Sequence, residues 1–251
     1  MNKRMSILFV GESWFIETTE RKGFDSFTVN RYEECAHWVG NALKAADMDF
    51  THIPCHRVEY DFPQTLEALR VYDVLMLSDV GANTFLLPTQ VFVQGKKGVN
   101  KLTLIRDFVE QGGGLCMIGG YMTFQGLQGK ACYKRTSIEE ILPVTLLEGD
   151  DRVEIPEGFS PAVVETSHPI FDGIDEAMPF MLGYNRTVAK PDAKVLLRNG
   201  DDPIIVVSDV RKGRTMAYTC DCSPHWASPE LCNWRYYNRL WVNITRWLAR
   251  K

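Results

Sequence analysis

Leu104–Gln125 reads LIRDFVEQGGGLCMIGGYMTFQ. Leu104, Ile105, Phe108 and Val109 recur at helical spacing and make one apolar stripe. Gly112, Gly113 and Gly114 stop that helix. Leu115–Ile118 is a short, unbroken apolar run, the pattern of a strand buried on both faces of a parallel sheet. Gly119 and Gly120 then turn the chain at the strand's C-terminal end, where ligands bind in open α/β sheets. Hydrolase-like α/β enzymes place a Ser or Cys nucleophile at such a turn. This chain has Gly119, Gly120 and Tyr121 there, so a site is expected without a nucleophile at its elbow.

The same rhythm extends outward in both directions. Ile7–Val10, Phe50–Ile53 and Val74–Ser78 read as strands, and Tyr32–Ala46, Thr65–Leu69 and Leu102–Glu110 as helices between them. That βα alternation predicts an α/β fold: a flavodoxin-like, mostly parallel sheet with helices on both faces and right-handed crossovers. From about Ser137 the rhythm changes. Leu142–Phe159 carries Pro143, Pro156 and the acids Glu148, Asp150 and Asp151, so residues 140–190 are expected to form a small β-rich excursion within one domain spanning 1–251. Ala193–Leu197, Pro203–Ser208 and Thr215–Thr219 return as strands, the last two joined by the basic turn DVRKGR, Asp209–Arg214. Asn233–Ala249 closes the chain as a helix whose Trp234, Tyr237, Trp241, Ile244 and Leu248 form one core-facing stripe.

Several segments together carry a resemblance. They are GESW (Gly11–Trp14), KGFDSFT (Lys22–Thr28), LSDVGANT (Leu77–Thr84), GGGLCMIGGYMTFQG (Gly112–Gly126), LPVTLLEGDDRVEIPEGF (Leu142–Phe159), LGYNR (Leu182–Arg186) and SPHW (Ser223–Trp226). Over nearly its whole length the chain resembles a group of bacterial cytoplasmic proteins of unknown function that bear the glutamine amidotransferase name. Tyr72–Gln125 resembles the core of the wider class I glutamine-amidotransferase-like superfamily. The resemblance implies that superfamily's fold. It also implies a catalytic His after a late strand, the position that His225 occupies next to Pro224, although the acid that usually follows is replaced by Trp226 and Ala227.

Composition narrows the possible functions. The chain has 251 residues, 45% hydrophobic and 24% charged, with a net charge of −4. That balance is ordinary for a globular protein and lacks the basic face that nucleic acid requires. No apolar run approaches the roughly 20 residues of a membrane span. The N-terminal apolar run, about five residues, is shorter than a secretory signal's apolar stretch and is expected to be the first strand. Seven cysteines, an odd number without a secretion signal, suggest reduced thiols and a cytoplasmic location.

Polar clusters follow four of the strands: Glu12-Ser13-Trp14; Asp79 to Asn83; Gly119-Gly120-Tyr121; and Asp221, Cys222, His225 and Trp226. Parallel strands would bring all four clusters to one rim, and Glu12, Asn83, Tyr121 and His225 would border one cavity. His225 is the natural proton shuttle, and Glu12 could serve as a general base. Cys222, three residues before His225, could form a Cys–His pair, but it is not at the elbow. Cys220, Cys222, His225 and Cys232 lack paired zinc-ligand spacing, so no metal is expected, and no cofactor motif is present. Lys22 and Asp25 sit in an unusually long first connection, Gly11 to about Asn30, which could fold over the rim. His37, His52 and His168 read as structural, and His56 is a weaker candidate.

Three readings remain open. The first is a protein without glutaminase activity that binds or transforms a small polar metabolite at the rim. The second is a true glutamine amidotransferase using a displaced Cys222–His225 pair. The third is a noncatalytic oligomerisation module, with a homo-oligomer as the partner.

Overall fold

Continuous apolar runs need cover on both faces, and the main sheet provides it. The computed structural model describes residues 4–251; Met1–Lys3, the charged start of the sequence, lie outside the described residues. In chain order the strands are β1 (Ser6–Gly11), β2 (Ser13–Lys22), β3 (Asp25–Glu34), β4 (Asp49–Ile53), β5 (Val74–Ser78), β6 (Gly114–Ile118), β7 (Val144–Leu146), β8 (Arg152–Phe159), β9 (Ala162–Val163), β10 (Met181–Asn185), β11 (Thr187–Ala189), β12 (Lys194–Asn199), β13 (Asp202–Val210) and β14 (Gly213–Tyr218). Eight of them form one sheet in the order β4-β1-β5-β6-β14-β13-β12-β9. Alternate residues of the inner strands face opposite cores. Ile7, Phe9, Val74, Met76, Cys116 and Ile118 share one core with the helices His37–Ala45 and Tyr237–Leu248. Leu8, Val10, Leu75, Leu77, Leu115 and Met117 share the other with the helix Lys101–Glu110.

The sheet is mixed, so the expected mostly parallel arrangement holds for its first five strands only. β4, β1, β5, β6 and β14 run parallel, but β13, β12 and β9 are antiparallel additions. Turn length explains this. Only Arg211 and Lys212 separate the paired Val210 and Gly213, and so short a link cannot make a parallel crossover. The excursion contributes two antiparallel pairs, β8 with β10 and β7 with β11, and sends β9 to the edge of the main sheet.

Two helix expectations also change. The helix expected over Tyr32–Ala46 begins only at His37, because Asp25–Glu34 pairs with Ser13–Lys22 as a hairpin. The long first connection is therefore a β-ribbon. Lys22 and Asp25 pair at its exposed tip. The closing helix runs Tyr237–Leu248, preceded by the short helix Pro229–Cys232 whose N-cap is Ser228.

The glycine after β6 is fixed by close approach. Gly119 donates its N–H to Tyr218 O at 2.7 Å and Cys220 O at 3.0 Å, and a Cβ there would stand 2.0 Å from Thr219 O. The clash is with backbone at the sheet's centre, so Gly119→Ala should destabilise the protein by about 2 kcal/mol or more. Urea unfolding should show this as a lower midpoint with an unchanged m-value.

Candidate functional site

The C-terminal ends of β1, β5, β6 and β14 lie level. Gly11 pairs with Ser78, Ser78 with Ile118 and Ile118 with Tyr218. The residues that follow meet above this line. Glu12 leaves β1 with a positive φ of 50° and is almost wholly buried, 1% exposed. One carboxyl oxygen accepts from Ser78 Oγ and the other from Ser223 Oγ, each at 2.6 Å. Asp221 Oδ1 accepts the Cys222 and Ser223 N–H groups at 2.8 and 3.3 Å. Its Oδ2 lies 3.3 Å from His225 Nδ1. Asp79 accepts the Met122 N–H at 2.7 Å, tying the end of β5 to the turn after β6.

Burial and neighbouring charge shift the titration of Glu12 and Asp79. Burial, then the charges of Asp221 and Asp79, push Glu12 well above the usual carboxylate range. Burial and then Asp221 raise Asp79 from 3.8 to about 6. Burial pulls His225 down, but its hydrogen bond and charge pairing with Asp221, aided by Glu154 and Asp79, outweigh this and raise its pKa. The thiols move away from reactivity. Burial, then Glu12 and Asp221, hold Cys222 well above its ordinary value. Burial and then Glu12 raise Cys35. Cys232 is pushed to about 12, chiefly by burial and then by Asp221. None of the seven cysteines is in a disulfide.

Aromatic rings build the outer wall. The Tyr121 ring meets His225 edge-on at 4.6 Å, and Trp226 stacks on the same imidazole at 5.3 Å. Glu154 accepts from Tyr121 Oη at 3.0 Å and from Trp226 Nε1 at 2.9 Å, and the Arg152 guanidinium lies 5.1 Å from the Tyr121 ring. Trp226 fits because residue 183 is glycine: a Cβ there would come within 2.4 Å of the indole. The turn Gly119–Gln125 is itself held from below. Fully buried Asn185 accepts the Gly120 N–H at 3.0 Å and donates to Gly120 O at 3.1 Å and to Asp151 Oδ1 at 2.8 Å. Asp151 in turn accepts the Gln125 and Gly126 N–H groups, each at 2.8 Å.

Glu12, Asp79, Gly119, Gly120, Tyr121, Asp221, Cys222, His225 and Trp226 thus gather at one place. Other expected members lie apart. Asn83 is exposed on the short helix Ala82–Leu86. Ser13 is buried and accepts the Cys55 N–H at 2.8 Å, fastening the foot of the ribbon. Trp14 is half-buried on β2 and pairs across the ribbon with Glu33. Cys222 and His225 form no hydrogen-bonded pair. The chain turns back at Pro224, so the ring meets Asp221, four residues earlier, while the sulfur sits 3.5 Å from Ser78 Oγ. The remaining histidines serve elsewhere: His52 Nε2 lies 2.8 Å from Gly11 O, His168 N-caps the turn Pro169–Phe171, and His56 packs edge-on against Phe15 and Tyr32. A cavity of about 800 Å³ lies far from the cluster, lined by residues of the helices His37–Ala45 and Tyr237–Leu248.

Residue-level reading missed Asn185, Asp151, Glu154, Ser78 and Ser223. Ser78 and Ser223 lie within LSDVGANT and SPHW, while Asn185 lies in LGYNR and Asp151 and Glu154 in EGDDRVE, segments noted for the resemblance but not assigned to the site. Glu12, Asp221 and Cys222 offer ligand atoms within 4.8 Å of one another. The oxygens already accept hydroxyl, amide or imidazole partners and the thiol is held protonated, so this donor set suits proton sharing better than a cation.

The family model described as "Putative glutamine amidotransferase" matches residues 6–250. The chain belongs to this family. It is similar to the cytoplasmic protein STM3548 from Salmonella typhimurium, with 44% identity over 98% of this chain and 99% of that one and a TM-score of 0.94. It is also similar to the cytoplasmic protein STM1381 from Salmonella typhimurium LT2, with 43% identity over 97% and 99% and a TM-score of 0.93. A thua-like protein from Bacteroides uniformis shares the fold at 14% identity, with 98% and 91% covered and a TM-score of 0.57. No curated protein matches.

Asp79 holds its proton more tightly folded than unfolded. Its contribution therefore favours the fold fully below pH 3.8 and is lost as pH rises through about 6. Asp79→Asn should gain stability relative to wild type across that window, by about 1–2 kcal/mol at neutral pH, given 1.4 kcal/mol per tenfold change in proton affinity and some solvent screening. Melting temperatures recorded against pH would check this. Asn185→Leu, which strands the Gly120 peptide and Asp151, should cost roughly 2–4 kcal/mol in denaturant unfolding.

Proposed function

We propose that this chain is a glutamine-amidotransferase-like protein without glutaminase activity, which binds a small polar metabolite at the C-terminal rim of the sheet and moves a proton on it through His225. The observation that carries this reading is the Asp221–His225 pair. One ring nitrogen faces a buried carboxylate at 3.3 Å, and the side chain remains 41% exposed. A carboxylate that orients one nitrogen leaves the other free for acid–base work. Tyr121 and Trp226 fix the ring from two sides.

The surrounding charge argues against a thiol mechanism. A catalytic cysteine needs a positive neighbourhood that stabilises the thiolate. Here burial and the carboxylates of Glu12 and Asp221 raise Cys222, and the elbow carries Gly119, Gly120 and Tyr121. The acids Asp221 and Glu154 beside His225 favour a neutral, hydroxyl-rich or amine-bearing ligand over an anion. A cytoplasmic location, as named for the two Salmonella proteins, accords with seven free thiols.

Purified protein should release no ammonia from glutamine; turnover abolished by Cys222→Ala would overturn the reading. A thermal-shift screen with neutral and cationic polar metabolites should yield ligands whose stabilisation is lost in His225→Gln. That variant should itself unfold within about 1 kcal/mol of wild type, because His225 is partly exposed. A large loss of stability with undiminished ligand response would show instead that His225 is structural.

A further inference from the structure

A cavity of about 800 Å³ lies at the opposite end of β14 from the candidate site. Arg214, the second residue of β14, lines it, whereas His225 follows the strand's other end. The volume falls within the roughly 300–1,000 Å³ of small-molecule sites. One wall is made by Ala42, Ala45 and Ala46 at the end of the helix His37–Ala45, the other by the closing helix Tyr237–Leu248. The short alanine side chains leave the space between the two helices open.

The charged side chains lining this space are unequal in sign. Arg214, Arg239, Arg246, Arg250 and Lys251 are set against a single acid, Asp172, in a chain whose net charge is −4. Acids outside the cavity match some of these cations. Lys251 pairs with Asp73 at 3.0 Å. Arg214 and Arg250 share one carboxylate, that of Asp209, so one negative charge serves two cations. Arg214 is further fixed by donating to Trp247 O at 2.7 Å and by lying 4.7 Å from the Trp247 ring. Arg239 and Arg246 pair with no acid among the described residues.

Helix electrostatics accounts for only one of these two. The macrodipole favours a cation in the last turn and disfavours one in the first. Arg246 is in the last turn of Tyr237–Leu248, but Arg239 is its third residue. Arg239 is nonetheless held in place. Its Nη1 donates to Gly173 O at 2.7 Å. Residue 173 has a φ of 69°, and a Cβ there would stand 2.1 Å from that same nitrogen, so glycine is what admits the guanidinium. Asn243 ties the loop to the same helix face by donating to Ile170 O at 3.1 Å and Asp172 O at 3.0 Å. Arg239 and Arg246 are seven residues apart on that face, about 10 Å along the axis at 1.5 Å per residue.

We propose that this groove binds a small ligand carrying two or more phosphate groups, anchored by Arg239 and Arg246. Two guanidinium forks without acids, separated along one helix face, suit two anionic groups of one ligand better than a single one. Phosphate offers each fork three strong acceptor oxygens. Nucleic acid would require a continuous basic surface, which Asp172 interrupts here. The groove shares no residue with the Asp221–His225 cluster, so the two sites stand or fall separately.

Isothermal titration calorimetry at fixed ionic strength tests this, with tripolyphosphate as the probe. The full chain should bind it at one site, and should bind orthophosphate more weakly. Arg239→Gln with Arg246→Gln should weaken tripolyphosphate binding by about tenfold or more, the effect of losing a hydrogen bond to a charged group. Arg246→Gln alone removes no bond within the chain; it should weaken binding in the same direction with an unchanged melting temperature. Lys22→Gln with Arg31→Gln removes the same charge from the ribbon and should leave binding intact, as should His225→Gln at the rim. Absence of tripolyphosphate binding, an equal loss in the ribbon variant, loss in His225→Gln, or tighter binding of citrate or of a single-stranded oligonucleotide would each overturn the proposal.

Discussion

One carboxyl group joins three strand ends. Glu12 follows β1, Ser78 closes β5, and Ser223 lies beyond β14; the two serine hydroxyls converge on the Glu12 oxygens. Ionising a carboxyl there is expensive, so Glu12 holds its proton far more tightly than a free glutamate. Asp221 is satisfied by two N–H groups and by His225, and Asp79 by the turn after β6. The imidazole is consequently drawn toward its charged form by acids that it did not acquire from any adjacent strand.

Much of the architecture was legible because the physical signals were local. Val74–Ser78 and Leu115–Ile118 read as buried strands since each alternate residue meets a different core, and the basic turn at Arg211 and Lys212 announced a hairpin. The ribbon Ser13–Glu34 was read as a loop and part of a helix because its apolar positions do not alternate cleanly: Trp14, Phe15 and Ile16 run together and the following six residues are polar, so neither strand shows a period of two. Register across the antiparallel strands had no local signal either, so the mixed sheet followed only from turn lengths.

The site was half legible. Following each buried strand to its end found Glu12, Asp79, Tyr121 and His225, because parallel strands align their C-terminal ends. Asn83 was misplaced by the same logic: the helix Ala82–Leu86 begins at once and turns it outward. Asn185 and Asp151 escaped because they belong to the β-rich excursion, and nothing in their own neighbourhood tells that Asn185 grips the Gly120 peptide or that Asp151 holds the Gln125 and Gly126 N–H groups. Trp226, expected in the cluster after β14, is 1% exposed and fills the space that Gly183 leaves. The family name speaks of an amidotransferase, while burial and then the neighbouring acid Glu12 raise the pKa of Cys222 and of Cys35.

The bond between Ser223 and Glu12 spans 211 residues of sequence. A ribosome adding about 5–20 residues per second takes roughly ten to forty seconds to cover that distance. For all of that time Glu12 lacks its partner beyond β14. When β14 docks beside β6 and Ser223 reaches Glu12, water leaves and the carboxyl holds its proton more tightly than it did on the open chain. The bond that completes the site thus joins the first strand to nearly the last segment of the chain.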